Sequence, residues 1–115
     1  MKTLEDIMQM FPNTEKEKWA QHANGKGWVS NDSSVSDTVY IGPFAIVYAK
    51  SVLTGQARVE DFGQVKNCKL SGDCVVRRVA WLEGVTAHTG MYAYNERTKA
   101  KQERIGQDIK YEDTI

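Results

Sequence analysis

Aliphatic residues recur at every sixth position in the first part of the chain after residue 28. The column comprises Val29, Val35, Ile41, Val47, Leu53, Val59 and Val65. A period of six matches neither the 3.6-residue period of an α-helix nor the two-residue alternation of a half-exposed strand. It indicates an internal repeat, in which each unit is too small to bury its apolar face without its neighbours.

A second column, made mostly of small residues, stands two positions before the aliphatic column. Its members are Ser33, Val39, Ala45, Ser51, Ala57 and Gly63. After Val65 the register slips by one residue, and both columns then resume as Cys68 with Leu70, Cys74 with Val76, and Ala80 with Leu82. Turn-forming pairs such as Gly42-Pro43 and Ser71-Gly72 fall between the repeats. The two coupled columns predict short strands separated by tight corners.

This pattern resembles the hexapeptide repeat of left-handed parallel β-helix proteins, and the opening Gly27-Trp28-Val29 resembles small bacterial and phage members of unassigned function. The resemblance implies that three hexads close one triangular coil, with the aliphatic residue pointing inward. We therefore expect a mostly β fold with a short left-handed parallel β-helix of about three coils at residues 27–90. The expected inner ladders are Val29-Val47-Val65-Leu82, Val35-Leu53-Leu70 and Ile41-Val59-Val76.

Both ends of so short a solenoid need covering. Residues 1–26 predict a helical N-terminal cap, with Thr3 and Asp6 as a capping box and Pro12 as the stop. A second short helix is predicted from Glu15 to Ala23, with Thr14 as its cap. Residues 91–115 predict an irregular or helical C-terminal tail. It would begin with a final strand and continue as a helix from about 95 to 105 or as a hairpin around 97–101.

Charge and hydropathy indicate which partners and which cellular compartment to expect. The chain has 15 basic and 15 acidic residues, so its net charge argues neither for nor against an anionic partner. No long nucleic acid is expected as a partner. No apolar run is long enough for a membrane span, and Met1-Lys2 is followed at once by Glu5 and Asp6 rather than by the apolar core of a signal peptide. We expect a cytoplasmic protein, in the host cytoplasm if it is phage-encoded. Cys68 and Cys74 lack metal-binding spacing and are interpreted as small buried hydrophobes.

The known enzymes of the family provide one hypothesis for the chemistry. Hexapeptide-repeat relatives include acyltransferases, which use a histidine base, and γ-class carbonic anhydrases, which bind zinc through three histidines. This chain has only His22 and His88, in unrelated contexts, so neither a metal site nor a cofactor is expected. His88 follows the last clear hexad and is the candidate base of an acyltransferase-like enzyme. No Ser-His-Asp set can be nominated from spacing alone.

A basic corner is the second hypothesis. Arg77 and Arg78 are adjacent, and Arg58, Lys66 and Lys69 were expected to align with them on earlier coils. Guanidinium groups pair with phosphate and aromatic rings stack on bases, so this region predicts a site for a nucleotide or a similar anion. The alternative is a solvated surface balanced by Glu60, Asp61, Asp73 and Glu83. The candidate ligand-binding residues are Lys69, Arg77, Arg78, Trp81, His88, Tyr92 and Tyr94.

The function expected from these features is a non-catalytic, homo-oligomeric binding protein, with a homotrimer favoured. It would hold an anionic small ligand such as a nucleotide or engage a host protein, as a phage accessory protein does. An acyltransferase-like enzyme and a structural component of a larger phage assembly are the alternatives. Fold alone does not decide among them, because one fold hosts many functions.

Overall fold

The computed structural model describes residues 2–94, 99–101 and 111–112. The chain coils into a parallel β-solenoid of about four turns with three faces, here called A, B and C. Face A contains β2 (Trp28–Ser30), β5 (Ile46–Tyr48), β8 (Gln64–Lys66) and β11 (Trp81–Glu83). Face B contains β3 (Ser34–Val35), β6 (Val52–Leu53), β9 (Lys69–Leu70) and β12 (Thr86–Ala87). Face C contains β4 (Tyr40–Ile41), β7 (Arg58–Val59), β10 (Val75–Arg78) and β13 (Met91–Tyr94).

The inner ladders predicted from the hexad spacing are confirmed. On face A, Val47 pairs with both Val29 and Val65, and Val65 pairs with Leu82. The other two ladders are Val35-Leu53-Leu70 on face B and Ile41-Val59-Val76 on face C. Most of these side chains are fully buried in one core that runs along the axis. A parallel stack of this kind gains buried apolar surface with every coil added.

A further coil follows the last aliphatic hexad. Ala87 pairs with Leu70 and Tyr92 pairs with Val76, so both continue inner ladders. Both are buried, at 3% and 0% exposure. The six-residue aliphatic column does not extend to this coil, because Ala87 and Tyr92 occupy the inward positions where earlier coils have aliphatic residues.

The slip in register lies at the corner between faces A and B. One coil turns this corner with two residues in the left-handed region, Ala49 and Lys50. The next coil uses one, Asn67, and the coil after that also uses one, Gly84. Asparagine and glycine adopt this conformation more readily than other residues. The slip therefore removes one corner residue and leaves the strands in register.

The small residues of the same corner form a hydrogen-bonded ladder. The amide of Ser51 donates to Ser33 Oγ at 3.0 Å, and the amide of Cys68 donates to Ser51 Oγ at 3.1 Å. The amide of Val85 then donates to Cys68 Sγ at 3.4 Å. These side chains satisfy buried amides that the sheet hydrogen bonds do not reach. Small residues therefore stand in this column because they accept these hydrogen bonds as well as because they fit the tight corner.

The N-terminal helix is confirmed, and its position is set by its apolar face. α1 (Leu4–Met10) begins at the Thr3 capping box with Asp6. The hydrogen bonds from Thr3 lower the pKa of the Asp6 carboxyl. Ile7 is fully buried against Trp28 and Ile46. The helix therefore covers the outer side of face A.

The predicted second helix from Glu15 to Ala23 is wrong. A short 3-10 helix (Lys16–Lys18) leads instead into β1 (Trp19–Gln21), which pairs antiparallel with β2. The Thr14 hydroxyl accepts a hydrogen bond from Trp19 Nε1 at 2.8 Å rather than capping a helix. An isolated helix of this length is marginal, whereas the open edge of β2 offers a row of backbone partners.

The C-terminal tail is described in part. The predicted final strand is β13, which pairs with β10. Two further strands, β14 (Lys99–Lys101) and β15 (Tyr111–Glu112), pair with β11 and β13. Lys99–Lys101 are strand rather than part of the helix predicted from about 95 to 105, and the rest of the predicted helix or hairpin lies outside the described residues.

Candidate functional site

A groove runs along the outer side of face B in the part of the chain described. Its volume is about 470 Å³. That falls within the range of roughly 300–1,000 Å³ typical of small-molecule sites. We call it the face B groove, and its lining residues are Val52, Thr54, Lys69, Leu70, Ser71, Thr86, Ala87 and His88.

The groove follows from the shortness of the face B strands. Each strand has one outward and one inward residue, and the residue after the inward one begins the next corner. Successive coils place Val52, Lys69 and Thr86 in one outer column. A second outer column contains Thr54, Ser71 and His88, with adjacent members about 4.8 Å apart as in any sheet. The depression between the two columns is floored by the backbone over the buried Leu70 and Ala87.

Backbone hydrogen bonds hold the second column in place. The amide of Thr54 donates to the Leu70 carbonyl at 3.0 Å, and the amide of Ser71 donates to the Ala87 carbonyl at 3.0 Å. Thr54 and Ser71 are therefore held by hydrogen bonds between coils of the solenoid rather than on an unsupported loop. Sites built on such elements hold their geometry better than sites on loops.

His88 is fixed against two residues of the preceding coil. Its Nδ1 lies 3.1 Å from the Ser71 hydroxyl. A Cβ added to Gly72, whose φ is +61°, would lie 2.0 Å from the His88 carbonyl oxygen and 3.0 Å from Cε1 of its ring. Glycine at position 72 therefore permits both the left-handed turn and the close stacking of His88. The imidazole itself remains exposed beside the groove.

Lys69 supplies the positive charge of the groove. Within residues 2–93, the ion pairs join Arg58 to Glu60 at 2.5 Å and Lys66 to Glu83 at 3.7 Å. Lys69 belongs to neither pair, and its side chain is exposed. An ammonium beside an apolar floor attracts an anion more strongly than one in open solvent, because the low-dielectric wall screens its field less.

The structure brings together only some of the residues predicted to bind ligand. Lys69 and His88 line the face B groove. Arg77 and Arg78 end β10 on face C, and the backbone of Tyr94 pairs with Arg78. The other two lie apart: Trp81 begins β11 on face A, and Tyr92 is fully buried in the core. Tyr92 is thus a core residue rather than part of an exposed surface.

The predicted basic stripe is wrong. The residues that stack on adjacent coils are 16 to 19 apart in sequence, as Tyr92 stacks on Val76 and Gln64 stacks on Ile46. Arg58, Lys66 and Lys69 are separated by 3 to 11 residues, so they lie on faces C, A and B respectively. Arg78 stacks on Asp61, whose carboxylate accepts its amide hydrogen at 2.9 Å.

Other chemistry-bearing side chains stand apart from the groove. His22 Nε2 lies 2.7 Å from the Val39 carbonyl, at the other end of the solenoid. Burial raises the pKa of the Cys68 thiol to about 11. Within the described ranges no group of three or more His, Cys, Asp or Glu residues is placed to hold a metal ion. Nor does any helix in those ranges have the length and apolar character of a membrane span.

The groove residues beyond Lys69 and His88 were missed by the sequence reasoning, although a signal for them was present. Val52 is 38% exposed, and it immediately precedes an inward hexad residue. Adding one coil length to its number leads to Lys69, and adding another leads to Thr86. The outward residues of face B thus recur at the same coil length as its inward residues, and this recurrence predicts the column.

No protein-family model, curated protein or solved structure matches the chain.

Proposed function

We propose that this chain is a non-catalytic binding protein that holds an anionic small ligand in the face B groove. The observation that carries this proposal is the meeting of Lys69, Ser71 and His88 along one groove of about 470 Å³. The ammonium supplies charge, and the hydroxyl and imidazole supply directed hydrogen bonds. Lys69 and Ser71 lie on one coil and His88 lies on the next, so the fold itself arranges them before a ligand arrives.

Isothermal titration calorimetry tests the proposal with a panel of nucleotides and small carboxylates. We expect at least one anion to bind, and Lys69→Ala to weaken its binding about 10-fold or more, the loss of roughly 1.4 kcal/mol. Lys66→Ala is the matched control. It also removes one lysine, but this lysine lies in β8 on face A and does not line the groove. Binding that is lost in Arg77→Ala plus Arg78→Ala but unchanged in Lys69→Ala would move the site to the basic corner and overturn the proposal.

The wider setting that we propose is a left-handed hexapeptide-repeat protein of bacterial or phage type, acting in the cytoplasm as a homotrimer. The six-residue spacing from one inner ladder to the next and the parallel stacking of the strands support the repeat architecture within this proposal. A host protein is a second kind of partner for a phage accessory protein of this design. The outer faces would then contact neighbouring subunits or that host protein.

An acyltransferase-like enzyme is the second candidate function, and the exposure of His88 beside the groove favours it. In that reaction His88 would remove a proton from a substrate hydroxyl or amine as it attacks an acyl thioester, and the thiolate would leave with a proton. Incubation with an acyl-thioester donor and a panel of acceptors tests this function. His88→Ala must abolish turnover, and a variant that keeps full activity would remove the candidate.

A further inference from the structure

We infer that the ligand of the face B groove is a monocarboxylate with an aliphatic body rather than a nucleotide. This inference rests on the proposed function, since it names the class of anion for the same groove. Three features of the lining carry it: its charge, its lack of rings and the position of its apolar residues.

The charge of the groove fits a single negative charge. Lys69 is the sole lysine or arginine among the eight lining residues, and none of them is acidic. One ammonium balances one carboxylate, whereas a nucleoside phosphate carries about two charges near neutral pH. Phosphate sites also commonly use the guanidinium fork of arginine or a nest of backbone amides. The lining has no arginine, and the amides of Thr54 and Ser71 already donate to neighbouring coils.

The lining also lacks a flat ring on which a nucleobase would stack. Its one ring is the imidazole of His88, which lies against Gly72 and Ser71. Base recognition in proteins relies heavily on aromatic stacking. The candidate aromatic residues Trp81 and Tyr92 lie on face A and in the core, so neither lines this groove.

The apolar part of the groove lies on the coil that precedes the coil of Lys69. Val52 pairs with Lys69 across adjacent strands and is 38% exposed. Thr54 stands beside it, one coil above Ser71, and adds a methyl group. A carboxylate held by Lys69 and Ser71 would therefore direct its hydrocarbon tail along Val52 and Thr54. Covering an exposed valine in this way supplies hydrophobic binding energy in addition to the ion pair.

Calorimetric titration of the full chain with octanoate, acetate, 1-octanol and adenosine monophosphate tests the inference. We expect octanoate to bind at least about 10-fold more tightly than each of the other three probes. Acetate lacks the tail, octanol lacks the charge, and the nucleotide lacks a matching ring. Octanol binding as tightly as octanoate would overturn the role of the charge, and acetate binding as tightly would overturn the role of the tail.

Two conservative surface variants assign the binding to this groove. Lys69→Arg keeps the charge and is expected to retain octanoate affinity within about 3-fold, whereas Lys69→Ala loses about 10-fold or more. Val52→Thr keeps the shape of the side chain, and we expect it to weaken octanoate several-fold while leaving acetate unchanged. Octanoate binding that is unchanged in both Lys69→Ala and Val52→Thr would place the carboxylate elsewhere and overturn the inference.

The outcomes separate this inference from the proposed function. A nucleotide that binds more tightly than octanoate, through Lys69, would overturn the monocarboxylate and leave an anion-binding groove. Absence of binding by every anion of both panels would overturn the two together.

Discussion

At the scale of single residues, two glycines with the same backbone conformation have different surroundings. Gly72 and Gly84 have φ values of +61° and +71°. A Cβ at Gly72 would lie 2.0 Å from the carbonyl oxygen of His88, whereas a Cβ at Gly84 would have no atom of the described residues within 4 Å. A side chain at either glycine would strain the left-handed backbone, but only a side chain at Gly72 would also collide with His88.

We predict that Gly72→Ala lowers the free energy of unfolding more than Gly84→Ala does. Gly84→Ala is expected to cost about 1–2 kcal/mol, because only the left-handed conformation is penalised. Gly72→Ala adds overpacking against the next coil, worth about 1–3 kcal/mol more. Urea denaturation of both variants measures the difference. Equal losses would show that the corner at Gly72 is not closely packed.

The buried thiol of Cys68 predicts a pH-dependent stability. Its pKa in the fold is about 11, against 9.0 for an unburied thiol, because burial disfavours the thiolate. The unfolded chain therefore loses this proton first, and the fold loses stability as the pH rises from 9 toward 11. Two pH units at about 1.4 kcal/mol each give a loss of roughly 3 kcal/mol.

Cys68→Ser tests this prediction, because a serine hydroxyl does not titrate in this range and can still accept the amide hydrogen of Val85, as Ser51 does for Cys68. The difference in unfolding free energy between the wild type and the variant should shrink or change sign between pH 9 and 11. A difference that stays constant across that window would contradict a buried, protonated thiol.

At the scale of elements, the N-terminal helix is held to face A by one fully buried side chain. Ile7→Ala removes three carbons from the contact with Trp28 and Ile46, so we expect a loss of about 2–4 kcal/mol. Met10→Ala on the same helix is the control, because Met10 is 39% exposed and should cost less than about 1 kcal/mol. Thermal unfolding followed by circular dichroism compares the two. Losses of equal size would mean that the helix does not pack through Ile7.

The elements also show how far the sequence predicts this fold. The hexad columns predicted every inner pairing from Val29 to Leu82, because burial dictates those positions in each coil. The helix expected at residues 15–23 was wrong, since an edge strand needs backbone partners and no local pattern reports that need. The groove was missed because only the inward positions were predicted from the repeat, although the outward residues Val52, Lys69 and Thr86 recur at the same coil length. The sequence identified His88 and Lys69 as candidate ligand-binding residues, but it did not predict that they line the same groove.

At the scale of the whole molecule, the proposed homotrimer is a direct prediction about mass. The chain has a mass of 13.0 kDa, so a trimer has a mass of about 39 kDa. Size-exclusion chromatography with light scattering should give that value over a range of concentrations. A stable 13 kDa species at micromolar concentration would contradict the trimer and leave the groove as a site within one subunit.

The central claim is that the outer side of face B is the ligand site, and mapping by amide nuclear magnetic resonance tests it most directly. The isotopically labelled chain is titrated with octanoate, and the changes in chemical shift are placed on the structure. We predict the largest changes at Val52, Thr54, Lys69, Ser71, Thr86 and His88. Changes concentrated at Arg77, Arg78 and Trp81 would contradict the claim, as would the absence of any saturable change with octanoate and with every other anion of the two panels.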